Sequence, residues 1–221
     1  MLILSLDTTG KRVSCALARD GRIIAQKDRL SELSHSRTLL PECEKLLSEN
    51  GISFSDIDLF AATVGPGSFT GIRIGVAAVK GFAFPEGKPC AGVDTLTSAA
   101  YSSGVKSGVI CAAVRAREDE YYAAFFEANG GKYEQAGERA VLSGEEIGAL
   151  AKEYACDIYL CGEGSEELLK IEPGFKSTGA CQSAAGTAKA ALSAPRVRAE
   201  ELTPVYMKPS QAERLKKETK K

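Results

Sequence analysis

A single histidine, His35, stands in the whole chain of 221 residues. That scarcity narrows the chemistry at once. A metal site built on paired helical imidazoles lacks its second member, because the residue four places on is Leu39. A serine or cysteine nucleophile would have only His35 as its base, and no Gly-x-Ser-x-Gly elbow exists to present one. An excess of charge is missing too: 28 basic and 29 acidic residues leave a net charge of −1. No overall basic field draws nucleic acid in, so an RNA contact would be local or supplied by a partner. The basic run ERLKKETKK near residue 221 reads as a solvated end. Long apolar runs are absent as well. MLILSL is apolar for six residues before Asp7, too short for a signal core or a membrane span, so a cytoplasmic protein without a membrane contact is expected. The seven cysteines are odd in number and contain no C-x-x-C. All but Cys181 lie in apolar surroundings, which predicts reduced, buried thiols rather than a disulfide frame or a zinc site.

What is present is regular. Leu2 to Asp7 reads as a buried strand ending in an acid. Arg12–Arg19 and Arg22–Asp28 flank Asp20-Gly21, a dipeptide suited to a tight hairpin. Leu39, Leu40, Cys43, Leu46 and Leu47 repeat at helical spacing up to Gly51, with Pro41 marking a kink or the true start. Asp58–Val64 is a strand, and a helix follows from about Thr70 to Phe84. The second half repeats this order. Val109–Val114 is a strand, and Glu120–Glu127 and Lys132–Leu142 flank Asn129-Gly130-Gly131. A helix then starts at a Ser143/Glu146 capping box, before a strand Asp157–Cys161, the Gly162-Glu163-Gly164 turn and a short helix. Ala184–Leu192 is helical, and Leu202–Lys208 forms a short terminal segment. Two strand–hairpin–helix–strand–helix units predict a duplicated α/β fold with mixed sheets, divided into 1–104 and 105–221 at Ser102-Ser103-Gly104.

The stretch VGPGSFTGIRIG, Val64 to Gly75, resembles a phosphate loop but lacks the Gly-Lys-Ser/Thr ending. In the helix after it, Ile72, Val76, Val79 and Ala83 form one apolar face. Gly71, Gly75, Ala78 and Phe82 form a second, nearly bare face, and Arg73 and Lys80 a narrow polar stripe. Glycine costs a helix about 1 kcal/mol relative to alanine, so three of them imply tight packing. Either this chain's own sheet supplies it, or the small face accepts another helix at close range.

The pieces ILSLDTTGKRVSCAL, LSHSRTLLPECEKLL, IDLFAATVGPGSFTGIRIGVAAVKGFAF, AGVDTLTSAA, AREDEYYAAFFE and LTPVYMKP together resemble the TsaB (YeaZ) family over most of the chain. The resemblance implies an actin/Hsp70/sugar-kinase-like fold (ASKHA, ribonuclease H-like) and a non-catalytic role in tRNA threonylcarbamoyladenosine synthesis. It implies pairing with the paralogue TsaD, which transfers threonylcarbamoyl from its adenylate to N6 of the adenosine beside the anticodon. The ATPase TsaE would join them, tRNA would be met through the complex only, and the chain alone would form a homodimer. The implied interface takes in His35, Leu39, Leu40 and Cys43 with Gly71, Ile72, Gly75, Val76, Ala78, Val79 and Phe82. TsaD-type proteins carry a His-x-x-x-His metal pair on the first helix, which His35 and Leu39 cannot reproduce. No cofactor is required. Weak ATP or ADP and magnesium at a vestigial or interfacial site would use Asp7, Thr8 and Thr9. Relatives carry Asp-Ala-Arg where this chain has Arg115-Ala116-Arg117, so Arg115 replaces an acid. Arg117 and Glu120 match the family's pattern and would either orient one another or a partner, or form a structural salt bridge. A nucleotide-dependent transferase or a glycoprotease-like enzyme is the competing expectation.

Overall fold

The computed structural model describes residues 1–30 and 34–208. The basic run at the end of the sequence lies outside the described residues.

The first unit opens with β1 (Leu2–Asp7), β2 (Arg12–Arg19) and β3 (Arg22–Leu30). Asp20 and Gly21 both take positive φ, 49° and 80°, which is the backbone a two-residue hairpin needs. Helix α1 (His35–Glu49) follows, then β4 (Leu59–Gly65), α2 (Phe69–Ala83), β5 (Cys90–Asp94) and α3 (Thr95–Ser103). The second unit contains β6 (Ser107–Arg117), β7 (Glu120–Asn129), β8 (Lys132–Ser143) and α4 (Gly144–Ala151). It continues with β9 (Ile158–Cys161), α5 (Ser165–Ile171), β10 (Lys176–Ser177), α6 (Ala184–Ala190) and β11 (Arg196–Val197). The expected capping box holds α4: Ser143 Oγ accepts from Glu146 N at 3.1 Å, and Glu146 accepts from Ser143 N at 2.7 Å. Pro41 does not start its helix. It lies on the exposed side of α1, where the carbonyl it leaves unpaired can reach water.

The duplication is plain in the strand order. One sheet runs β11-β5-β4-β1-β2-β3 and the other β10-β9-β6-β7-β8. In each, the first strand pairs antiparallel with the hairpin's first strand and parallel with the strand after the first helix. Every residue of β1 is buried, because helices cover both faces of its sheet. Leu2, Leu4 and Leu6 meet α1 and α2 on one face, and Ile3 meets α6 on the other. The two sheets exchange helices. Leu96, Ala99 and Ala100 of α3 pack on Ile110, Ala112 and Phe126 of the second sheet, while Ala188 and Ala190 of α6 pack on the first. Helices α4 and α5 cover the outer face of the second sheet through Ile147, Ala151 and Leu168.

Helix α3 ends at Gly104 in the left-handed conformation. After Gln182 the chain returns to the first unit: α6 crosses β1 and β2, β11 adds to β5, and Val205 N–H donates to Val64 O at 2.8 Å. Five cysteines are buried, whereas Cys156 and Cys181 are exposed. Cys156 therefore departs from expectation: it sits in the turn between α4 and β9, past the end of the apolar run.

Candidate functional site

The acid that ends β1 is buried, with Asp7 3% exposed. Three protein donors reach it. Thr9 N–H and Thr9 Oγ1 both donate to Asp7 Oδ1 at 2.8 Å, and Thr63 Oγ1 lies 2.9 Å from Oδ2. A hydroxyl chain continues from Thr63 to Thr187 at 2.7 Å and on to Ser98 at 2.9 Å, tying β4, α6 and α3 together behind the turn. Burial raises the Asp7 carboxyl above the usual aspartate range, and the Thr9 and Thr63 hydrogen bonds oppose that rise.

The glycine-rich stretch wraps this same turn. Ser68 N–H donates to Thr9 O at 2.8 Å, and Thr8 Oγ1 donates to Gly71 O at 2.7 Å. Gly67 takes φ 153° with its Cα against Thr9 O, a conformation and a gap that suit glycine. A Cβ on Gly71 would overlap the Thr8 carbonyl, and one on Gly75 would stand 2.6 Å from Thr8 Oγ1. The bare helix face is thus filled by this chain's own first turn. Gly71 and Gly75 are buried within the chain, as are Leu39, Cys43, Ile72, Val76 and Val79. The reading of Gly71 and Gly75 as part of an open small face for another helix is corrected, because Thr8 fills that space. Of the residues expected at an interface, Leu40 is exposed, and His35, Ala78 and Phe82 are partly so. Ser68 caps α2 by accepting from Gly71 N at 3.2 Å.

Between the two units lies a cleft of about 1060 Å³. Asp7, Thr9 and Ser68 line it from the first unit, and Arg115, Glu163 and Gln182 from the second. Thr8 lies behind it, against α2. His35 reaches in from α1, with Nε2 2.8 Å from Gly10 O, so the lone imidazole fixes the turn. Glu163 comes from the Gly162-Glu163-Gly164 turn. Its carboxylate accepts Lys11 N–H at 3.0 and 3.3 Å, and its own N–H donates to Gln182 Oε1 at 3.1 Å. Arg115 is exposed, donates to Glu118 O at 3.1 Å and lies 3.6 Å from Glu167. Arg117 and Glu120 are cross-strand neighbours, and Glu120 is ion-paired to Lys208 of the terminal segment.

These side chains, as placed, do not fit magnesium and a polyphosphate. Both Asp7 oxygens already accept protein hydrogen bonds, and a carboxylate lies on the Lys11 amide that a phosphate would approach. Sequence reasoning missed Thr63 and Gln182, which are polar residues in apolar or small-residue runs, and it read Glu163 only as part of the Gly162-Glu163-Gly164 turn.

The model of the TsaD family, tRNA N6-adenosine threonylcarbamoyltransferase, matches residues 26–214. The tRNA threonylcarbamoyladenosine biosynthesis protein TsaB of Escherichia coli is 36% identical over 154 residues, which are 69% of this chain and 63% of that protein. The matches to the curated TsaB relatives span between 52% and 63% of those proteins' length. YeaZ from Pseudomonas aeruginosa superposes with a TM-score of 0.80 at 28% identity, covering 93% of this chain and 99% of that one. The ethanolamine utilization protein EutJ from Carboxydothermus hydrogenoformans shares the fold alone, with a TM-score of 0.52 at 10% identity over 86% of this chain and 89% of its own. The architecture is that of the actin, Hsp70 and sugar-kinase class, and the chain belongs to the TsaB (YeaZ) family, within the family described by the TsaD model.

Proposed function

We propose that this chain is a non-catalytic, cytoplasmic subunit that binds and activates TsaD in making threonylcarbamoyladenosine. TsaD would transfer threonylcarbamoyl from threonylcarbamoyl-AMP to N6 of the adenosine 3′ of the anticodon, in tRNAs reading codons that begin with A. TsaE joins the pair, tRNA is met through the complex, and the same face pairs two copies when TsaD is absent. The observation that carries the docking part is Gly81. It is exposed on α2, and a Cβ there would meet nothing within 4 Å. Among the described residues, nothing accounts for a helical glycine that costs about 1 kcal/mol relative to alanine. Around it the outward face carries Thr70, Ala77 and Phe84, the last 64% exposed, with Leu40 of α1 46% exposed. Both cations of α2 turn aside to the terminal segment. Lys80 Nζ donates to Glu200 O and Leu202 O, and Arg73 Nε to Tyr206 Oη. An uncharged strip with a bare centre suits a close helix–helix approach.

The test is reconstitution. Purified TsaD, TsaE and tRNA, supplied with threonylcarbamoyl-AMP and ATP, should form threonylcarbamoyladenosine with this chain, and the yield should fall by more than about tenfold without it. A Gly81→Leu chain should keep its melting temperature yet lose TsaD on a sizing column. Unchanged product without the chain removes the activating role, and a complex that survives Gly81→Leu removes the assigned face. The competing enzyme reading requires turnover of ATP or peptide by the chain alone. The engagement of His35 with Gly10 and of Asp7 with Thr9 and Thr63 weighs against it.

A further inference from the structure

The Gly10–Lys11 peptide unit is gripped at both of its polar ends. Its carbonyl lies 2.8 Å from His35 Nε2, a contact within the first unit. Its N–H donates to Glu163, which comes across the cleft from the second unit. The carboxylate also lies flat on Gly10, where an added Cβ would overlap Oε2. Glu163 is itself held from behind. Its N–H donates to Gln182 Oε1, Gln182 Nε2 lies 3.3 Å from Oε2, and the preceding Gly162 N–H donates to Ala180 O at 2.8 Å. Lys11, Arg12, Arg115 and Arg117 line the same cleft, as do the acids Asp7, Glu166 and Glu167, and Arg115 lies 3.6 Å from Glu167.

We propose that Glu163 is a tethered anion: its carboxylate occupies the anion position of the first unit's turn, holds the two units together across the cleft, and keeps phosphate-bearing ligands out. The position offers an anion an outward amide at a glycine turn, with Lys11 and Arg12 lining the same cleft. An external phosphate must displace an anion that is covalently attached and always present. Its apparent affinity falls by the fraction of time the position stands open. Glu163 is only half-buried, so the grip is modest. A position open roughly one tenth of the time weakens a competing anion about tenfold. The proposal stands apart from the docking strip on α2, and it assigns a use to an acidic residue that a phosphate site would not tolerate.

Two variants and two readouts test it, with inorganic pyrophosphate as the probe. In amide hydrogen exchange, Lys11 should exchange at least about tenfold faster in Glu163→Ala than in the wild-type chain. Pyrophosphate should bind Glu163→Ala at least about tenfold more tightly than the wild type by calorimetry, and should restore Lys11 protection. Gly10→Ala expels the carboxylate by placing a methyl where it lies. It should speed Lys11 exchange as Glu163→Ala does, yet gain no pyrophosphate affinity, because the methyl fills the vacated space. Equal Lys11 exchange in all three chains overturns the proposal, and so does equal pyrophosphate affinity in wild type and Glu163→Ala. The Gly10→Ala exchange result stands alone if Glu163→Ala fails to fold.

Discussion

Thr8 donates its hydroxyl to the carbonyl of Gly71 at 2.7 Å, and the Thr8 carbonyl in turn rests where a Gly71 side chain would be. Helix α2 and the turn after β1 are therefore one packed object, separated in sequence by 63 positions. Two glycines of the same helix then have opposite predicted behaviour. Gly71→Ala gains helix propensity but drives a methyl into fixed backbone, and overpacking of this kind costs about 1–3 kcal/mol. Gly81→Ala meets open space and should stabilise the chain by up to about 1 kcal/mol. For a chain of this size each kcal/mol shifts the melting temperature by roughly 2–4 °C. Calorimetric scans of the two variants should move in opposite directions. A Gly71→Ala protein as stable as wild type would show that Thr8 does not hold the helix.

Thiol chemistry offers a second check. Burial pushes the Cys90 thiol up to about 11 and the Cys111 thiol up to about 12, and it raises Cys161 as well. Reaction needs both thiolate and access. Of the seven cysteines, Cys156 and Cys181 alone are exposed. Titration of the native protein with a disulfide reagent at pH 8 should show two fast thiols, with the other five reacting only on denaturation. Four or more fast thiols would contradict the burial of Cys15 in β2, Cys43 in α1, Cys90 in β5, Cys111 in β6 and Cys161 in β9 as described.

Much of this was readable from the residues, because its causes are local. Asp20-Gly21 fixes a hairpin, Ser143 and Glu146 cap a helix, and apolar runs such as LILSLD mark buried strands whatever lies elsewhere. The rest depends on partners distant in sequence. Strand β5 and helix α3 went unread because AGVDTLTSAA mixes small and hydroxyl residues without a clear period; its order comes from Asp94, which accepts from Leu96 N at 2.9 Å and Thr97 N at 3.3 Å and is ion-paired to Arg139 of β8. The glycines of α2 announced close packing but not its direction. Gly71 and Gly75 meet Thr8, whereas Gly81 meets nothing, and only the fold separates the two cases. The contact made by Glu163 was hidden for the same reason, since Lys11 lies 152 positions before it.

The terminal segment is held by a stack whose strength can be measured. Phe69 and Tyr206 lie face to face at 4.6 Å, and the Arg73 guanidinium sits 3.9 Å above the Phe69 ring. Ring pairs and exposed cation–π contacts contribute roughly 0.5–1.5 and 0.5–1 kcal/mol. Tyr206→Ala should cost about 1–2 kcal/mol and expose Val205 N–H, which donates to Val64 O at 2.8 Å. Faster amide exchange at Val205, with β1 unchanged, is the expected pattern. An unchanged Val205 rate would mean that Leu202, rather than the stack, anchors the segment.

Asp7 gives a pH dependence of definite sign. Its carboxyl is raised in the folded chain from a reference of 3.8, chiefly by burial. Between the unfolded and folded values the native state binds more protons than the unfolded chain, so stability falls as pH rises through that interval. The benefit is full below the unfolded value and lost once pH passes the folded one. Asp7→Asn removes the titration while keeping an oxygen for Thr9 N–H and Oγ1 and an amide for Thr63 Oγ1. The melting temperature of wild type minus that of Asp7→Asn should therefore decline from pH 4 towards pH 7. Each tenfold rise in proton affinity corresponds to about 1.4 kcal/mol, or roughly 3–6 °C here. A difference that grows with pH would mean that the threonine hydrogen bonds outweigh burial and hold Asp7 as a stabilised carboxylate.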